Sequence, residues 1–226
     1  MTFPTWAFLG LIAVWLSTFM PLAQEKFKAN GFALAVWVKI VSVGLMIPFV
    51  IYYGLPDNPK FYGAIAISAS IWCVCDVIYY RAVSTVGAGV VTRLLPSAVI
   101  FGFVLWFAFD PSLIGKYIVQ PWVSAGVVAC VLTSVFFAMR LKNCPISWQG
   151  VKLIYPVILG AALGPIVQKL ALGEAGKAQA PYAYIFVEAG FMLVIWAVYF
   201  AIKKPMPWRD VLAPSARKAG AIIGAL

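Results

Sequence analysis

Four charged side chains stand inside apolar runs of this 226-residue chain: Lys39, Asp76, Arg93 and Glu188. On insertion scales a charge at membrane depth costs roughly 2.5–3.5 kcal/mol, so chains keep one there to hold an ion, a proton or a polar solute. A carboxylate accepts a proton or a cation, while lysine and arginine offer only donors. Trp72, Tyr79 and Tyr80 lie at i−4, i+3 and i+4 from Asp76 and so share its helix face. An acid flanked by aromatic rings suits a cationic or aromatic ligand. For Tyr79 and Tyr80, near the end of their run, anchoring at the membrane interface is the plainer alternative.

Other chemistry is poorly supplied. Histidine is absent, which removes the usual general base and the commonest transition-metal ligand. The cysteines are Cys73, Cys75, Cys130 and Cys144. Cys73 and Cys75 fall in mid-membrane without further ligands at zinc-site spacing, and read as small apolar residues. No catalytic residue, metal site or cofactor is expected, and an enzyme is not the expected class. The net charge of +10 comes from basic residues in short loops between apolar runs, with no basic patch carrying base-stacking aromatics, so no nucleic-acid partner is expected.

The elements that must position these groups are membrane helices. The chain is 64% hydrophobic and 11% charged, against about 25% charged in soluble domains. A span needs roughly 20 apolar residues, and the runs that meet this length are Pro4–Leu22, Phe32–Tyr53, Phe61–Ala82, Gly87–Phe109, Pro121–Met139, Val151–Leu170 and Pro181–Ile202. An eighth run begins at Ala219 and reaches Leu226. Before the first run, Met1 to Thr5 has no Lys or Arg, which favours a retained helix over a cleaved signal. The expected fold is all-α, a polytopic transmembrane bundle of seven spans plus the start of an eighth.

A shift of 150 residues lays Leu9-Gly10 on Leu159-Gly160 and Phe32-Ala33 on Tyr182-Ala183. A five-helix unit repeated in this way enters the membrane from opposite sides, the inverted repeat common in secondary transporters. The expected units are residues 1–140, a first five-helix repeat, and 146–226, a partial second one, with roughly 70 further residues needed to complete it. Loops after odd-numbered runs carry ten Lys and Arg and those after even-numbered runs four, which places the odd loops in the cytoplasm and the N-terminus outside.

At 1.5 Å per residue, Lys39, Asp76 and Arg93 all fall about 10 Å from one membrane face. Asp76 and Arg93, on runs joined by a tight turn at Val83–Val86, are expected to be neighbours, either as a packed ion pair or as a polar site lining a water-filled cavity. Glu188 belongs to the other membrane half and falls one place from Lys39 under the 150-residue shift; it either lines the same path or snorkels to the interface. Gly160-Ala-Ala-Leu-Gly164, followed by Pro165, is a small-xxx-small motif suited to close helix packing.

Ala13-Val-Trp-Leu-Ser-Thr-Phe19 is similar to a Trp-Gly-Ser-x-Phe pattern, with Leu16 in place of the glycine. Tyr80-Arg-Ala-Val-Ser-Thr-Val-Gly-Ala-Gly89 and the following Leu94-Leu-Pro96 resemble an R-A-L…A-G…L-x-P hairpin. Both patterns belong to the drug/metabolite transporter superfamily, in its ten-helix EamA-like branch. The resemblance implies a proton-coupled or exchange transporter with a central cavity between two five-helix halves. Helix 1 has no acid, so the coupling glutamate of the family's small four-helix members has no counterpart here.

The expected function is secondary-active transport of a small metabolite or drug-like solute by alternating access, as a permease or exporter. The path residues are Lys39, Asp76, Arg93, Glu188, Trp72, Tyr79 and Tyr80. The partners are a small-molecule solute, protons as candidate coupling ion, the lipid bilayer and, as an open option, a second copy in a homodimer. The expected location is the plasma (bacterial inner) membrane, as a multi-pass protein. A non-transporting scaffold or receptor is the alternative, and it requires no aqueous access to Asp76.

Overall fold

The computed structural model describes residues 5–140, 148–176 and 179–225, and these are helical almost throughout. The long helices are α1 (Thr5–Phe27), α2 (Gly31–Tyr53), α3 (Pro59–Val86), α7 (Pro121–Arg140), α8 (Trp148–Gly173) and α9 (Ala180–Lys203). Between α3 and α7 lie α4 (Ala88–Leu94), α5 (Ser97–Phe109) and α6 (Ser112–Val119); α10 (Trp208–Val211) and α11 (Pro214–Gly224) follow α9. The turn expected at Asn143-Cys-Pro145, together with Lys142 and Lys177, lies outside the described residues.

Among the described residues, six helices are long and apolar enough to cross a bilayer: Phe8–Phe27, Gly31–Tyr53, Pro59–Val86, Ala88–Phe109, Trp148–Gly173 and Ala180–Lys203. Large apolar side chains such as Trp15, Ile51, Ile118, Trp122 and Ile202 are exposed. In water such a surface would be an aggregation liability; in hydrocarbon it faces its proper solvent. The protein is a multi-pass membrane protein.

Two expected spans are more broken than their hydropathy suggests. The Gly87–Phe109 run divides into α4 and α5 at Leu95-Pro96. Pro96 has no N–H to give to Thr92, and the chain tightens there into three-residue turns (Ala98 N to Leu95 O, 2.9 Å; Val99 N to Pro96 O, 3.1 Å). The Pro121–Met139 run is preceded by α6, and Ser112–Val119 and Pro121–Phe137 meet at 106°, a geometry shared by broken spans and re-entrant segments. The eighth run starts five residues earlier than expected, at Pro214.

The helix ends follow from local chemistry. Asn30 and Asn58 cap α2 and α3, their side-chain oxygens accepting from Phe32 N (3.0 Å) and Lys60 N (3.0 Å). The turn expected at Val83–Val86 is instead the last turn of α3, and the reversal falls on Gly87 at φ 89°, ψ 152°. Only glycine adopts that region without strain. Gly87→Ala is therefore expected to destabilise the protein by about 1–3 kcal/mol, read as a lower thermal midpoint in detergent; an unchanged midpoint would show that the turn relaxes freely.

The bundle is organised around α3, which packs antiparallel to α2 and α8 and parallel to α9. α2 and α9 run antiparallel, with Phe49 and Tyr53 stacked on Tyr182 at one end and Phe32 on Phe200 at the other. Glycine lets α3 and α8 approach closely. A Cβ on Gly164 would lie 2.7 Å from Trp72 Cζ2, and one on Gly160 would overlap Cys75 Sγ. The packing role of the Gly160–Gly164 motif is thus what the helices use. On the other side of the bundle α11 lies on α2, where a Gly220 Cβ would collide with Trp37 and the Trp37 indole N–H donates to Val211 O (2.7 Å).

Candidate functional site

Among the described residues, α2, α3 and α9 bring three of the four membrane-depth charges together. Lys39 Nζ of α2 lies 3.1 Å from Asp76 Oδ2 of α3, and the two side chains are 18% and 17% exposed. They are neither sealed in the core nor displayed to bulk solvent. The antiparallel packing of α2 and α3 explains the pairing. Gly31, at the α2 N-terminus, sits against the α3 backbone at Val77 and Arg81, so Lys39, eight residues further along, is level with the stretch of α3 between Ser68 and Asp76, and its long stem reaches the Asp76 carboxylate.

The structure revises the expected pairing of Asp76. Asp76 meets Lys39, from a helix distant in sequence rather than from the hairpin partner. Arg93 is half-buried on α4, which packs against α1, α3, α7 and α8. The reason is the extra length of α3. It runs on to Val86, so Asp76 lies ten residues before its end while Arg93 lies only five after Ala88, and the two stand at unequal distances from the turn.

Glu188 forms a second polar station. Its Oε1 accepts from Ser68 Oγ of α3 (2.6 Å) and from Tyr184 OH (2.5 Å), and these two hydroxyls lie 2.7 Å from each other. Ser68 is fully buried and Tyr184 nearly so. The carboxylate is thus turned inward to α3, and the snorkelling alternative does not describe it. Ser68 and Asp76 are eight residues apart on α3, about 12 Å along the helix, so the two stations occupy different depths. They remain electrostatically coupled, since the Lys39 ammonium feels the charge of Glu188 as well as that of its partner Asp76.

The stretch between the stations is held by backbone contacts. Trp196 Nε1 of α9 donates to Cys73 O (3.1 Å), and the Cys73 thiol lies against Met192 O (3.8 Å). Cys73 and Cys75 are both buried, as small apolar residues that let α3 sit close to α9 and α8.

The three aromatics around Asp76 have separate fates. Trp72 is half-buried with its indole over Gly164, on the helix face between Ser68 and Asp76. Tyr79 is half-buried, its ring 5.3 Å from that of Tyr80. Tyr80 is 3% exposed and belongs to the core, where its carbonyl accepts from Gln24 Nε2 (3.0 Å).

Ser68, Tyr184 and Gln24 are site residues that sequence reasoning missed. Tyr184 was legible, being at i−4 from Glu188 and so on its face. Ser68 carried no signal, because a lone serine in a membrane helix more often bonds its own i−4 carbonyl, as Ser70 does to Ala66. Gln24 is fully buried and uses its amide N–H groups on Ala29 O (2.9 Å) and Tyr80 O, joining α1 to α3.

The chain matches no family model, no curated protein and no solved structure. Among the described residues no group of three or more His, Cys, Asp or Glu is placed to hold a metal ion.

Proposed function

We propose that this protein is a secondary-active transporter of a small solute, working by alternating access, and that its path runs between α2, α3, α8 and α9. One observation carries the reading: a partly exposed Lys39–Asp76 ion pair and a hydroxyl-bound Glu188 stand at two depths on one seam of an otherwise apolar bundle. Such groups are expensive in lipid and are retained where a polar species passes. A scaffold needs neither station.

The packing supports an inverted repeat. α2 and α9, equivalent under the 150-residue shift, run antiparallel at the centre of the bundle. Their neighbours follow the same relation: α3 packs on α8 and α9, and α11 packs on α1 and α2. Two halves related in this way and meeting at a polar seam suit rocking of one half against the other. On this reading the bent α6–α7 pair is the fifth span, and the arrangement agrees with the resemblance to the drug/metabolite transporter superfamily. The plasma membrane is the proposed location.

The solute is unidentified, so the first test is a stabilisation screen. Purified protein in detergent is heated with a library of small metabolites and organic cations, and hits are then assayed by counterflow in proteoliposomes. A hit is expected to raise the thermal midpoint of the wild type and not of Asp76→Asn, and to exchange across the vesicle membrane. A second test labels Tyr79→Cys, in a background lacking the native cysteines, with a membrane-impermeant thiol reagent. Transport predicts modification from water, whereas a protein that never opens the seam leaves this cysteine unlabelled, which would sink the reading.

A further inference from the structure

The end of α9 forms an apolar groove with a cationic mouth, and we propose that it binds one anionic phospholipid. The headgroup phosphate meets Lys203, Lys204 and Arg209, and one acyl chain lies along α9. The groove follows from local sequence. Pro205 and Pro207 have no N–H to continue a helix, so α9 stops at Lys203. Lys204 takes a left-handed cap (φ 43°, ψ 57°) of the kind that glycine more often fills. The chain then turns back, and Trp208 packs on Phe200 with ring centroids 4.1 Å apart. Between α9 and the elbow at residues 205–208 lies a cavity of about 900 Å³. Pockets that take whole ligands run to roughly 300–1,000 Å³. Ala197 and Ala201, one turn apart on α9, line the helix side; their small side chains leave room, and both are exposed, so the groove opens outward. From Ala197 to Lys204 it follows the last two turns of α9, roughly 10 Å, and its lining is apolar apart from Lys204.

Charge and shape select the occupant. Lys203, Lys204 and Arg209 are all exposed and stand against the single neighbouring acid Asp210. Among the described residues none of the three has a carboxylate side chain at ion-pair distance; the pair found there is Lys39–Asp76. Lys203 ends a helix long and apolar enough to cross a bilayer, so these cations fall at the depth of headgroup phosphates, and Trp208 stands with them where indoles favour the interface. A free anion would use the cations and leave the apolar groove unfilled. A zwitterionic lipid would fill the groove, but its own ammonium opposes three cations. A second copy of the chain packed here about a two-fold axis would set like charges against each other. An anionic phospholipid satisfies both the groove and its mouth. Phe200, which the acyl chain would touch, also stacks on Phe32 of α2 (6.2 Å, 25°), so bound lipid backs the α2–α9 contact and is expected to stabilise the fold. Nothing in this inference rests on the transport reading.

Native mass spectrometry of the full chain in detergent, with phosphatidylglycerol or phosphatidylcholine of the same acyl chains, tests the site. The wild type is expected to retain one phosphatidylglycerol per chain at concentrations where phosphatidylcholine is lost, an arm that needs no variant. Each interfacial cation is worth about fivefold in affinity for an anionic lipid, so Lys203→Gln/Lys204→Gln/Arg209→Gln should bind it roughly a hundredfold more weakly. The control Lys26→Gln/Arg217→Gln/Lys218→Gln removes three exposed cations from the same end of the bundle and should bind as the wild type does. Ala201→Phe fills the groove and should lose the lipid with all the cations in place. Every substituted side chain is exposed, and thermal midpoints without lipid check folding. Phosphatidylglycerol should raise the wild-type midpoint and inorganic phosphate alone should not. Equal retention of the two lipids, equal loss in both triple variants, an unaffected Ala201→Phe or stabilisation by phosphate alone overturns the proposal. So does a dimer that disappears in Ala201→Phe, which would make the groove a contact between copies.

Discussion

Asp76→Asn is expected to cost about 3–5 kcal/mol of stability, because it leaves the Lys39 ammonium without its counter-ion inside the bundle. The loss should fall toward the lower end, since Lys39 also feels the charge of Glu188. The comparison that gives the number meaning is the double variant Lys39→Met/Asp76→Leu. Removing both charges and keeping side-chain volume is often neutral or stabilising for a buried pair, so the double variant should recover most of the wild-type midpoint. Stability and function then separate. Both variants are expected to lose solute-induced stabilisation, and only the single one should be thermally weak. Thermal unfolding in detergent with and without a counterflow-validated solute reads both quantities. A single variant as stable as the wild type would show that the pair is solvated too well to matter, and a double variant that still responds to solute would remove Asp76 from the path.

Gly160→Ala is expected to destabilise by about 1–3 kcal/mol, the usual penalty for adding a methyl group to a filled contact. Its Cβ would overlap Cys75 Sγ and lie 3.3 Å from Ile71 Cγ2, so α3 and α8 must separate or Cys75 must turn. In lipid there is no hydrophobic term between helices to offset that separation, because their association depends on close packing. The clash names its own rescue. Cys75→Ala removes the offending sulfur, so the two changes together should cost less than their sum. A double-mutant cycle on thermal midpoints measures this coupling. Additive effects would mean that α8 moves away as a body, and that Gly160 is not the closest point between the helices.

The membrane class was readable without coordinates. A chain with so many apolar residues in runs of span length has few alternatives, and the runs at residues 32–53, 61–82, 151–170 and 181–202 fall inside α2, α3, α8 and α9. Lys39, Asp76 and Glu188 also stood out in the sequence, because charge within an apolar run needs no tertiary information to be noticed. The breaks were less visible. Hydropathy is blind to backbone hydrogen bonds, so the interruption at Pro96 and the bend between Val119 and Pro121 left the apolar signal intact while changing the path of the chain.

Partner choice belongs to the fold. Sequence spacing placed Asp76 at a depth, and depth was shared by Lys39 and Arg93 alike. What selected Lys39 was the close approach of α2 to α3 at Gly31, a contact between helices whose facing surfaces no periodicity in so uniformly apolar a chain could identify. The same holds for Glu188, whose inward turn depends on Ser68 from a helix 120 residues away in sequence. Composition and run length determined that these charges lie in a membrane. Which of them meet, and through which hydroxyls, was decided only when small residues allowed α2, α8 and α9 to close around α3, because a polar group in hydrocarbon bonds to whatever packing brings within about 3 Å.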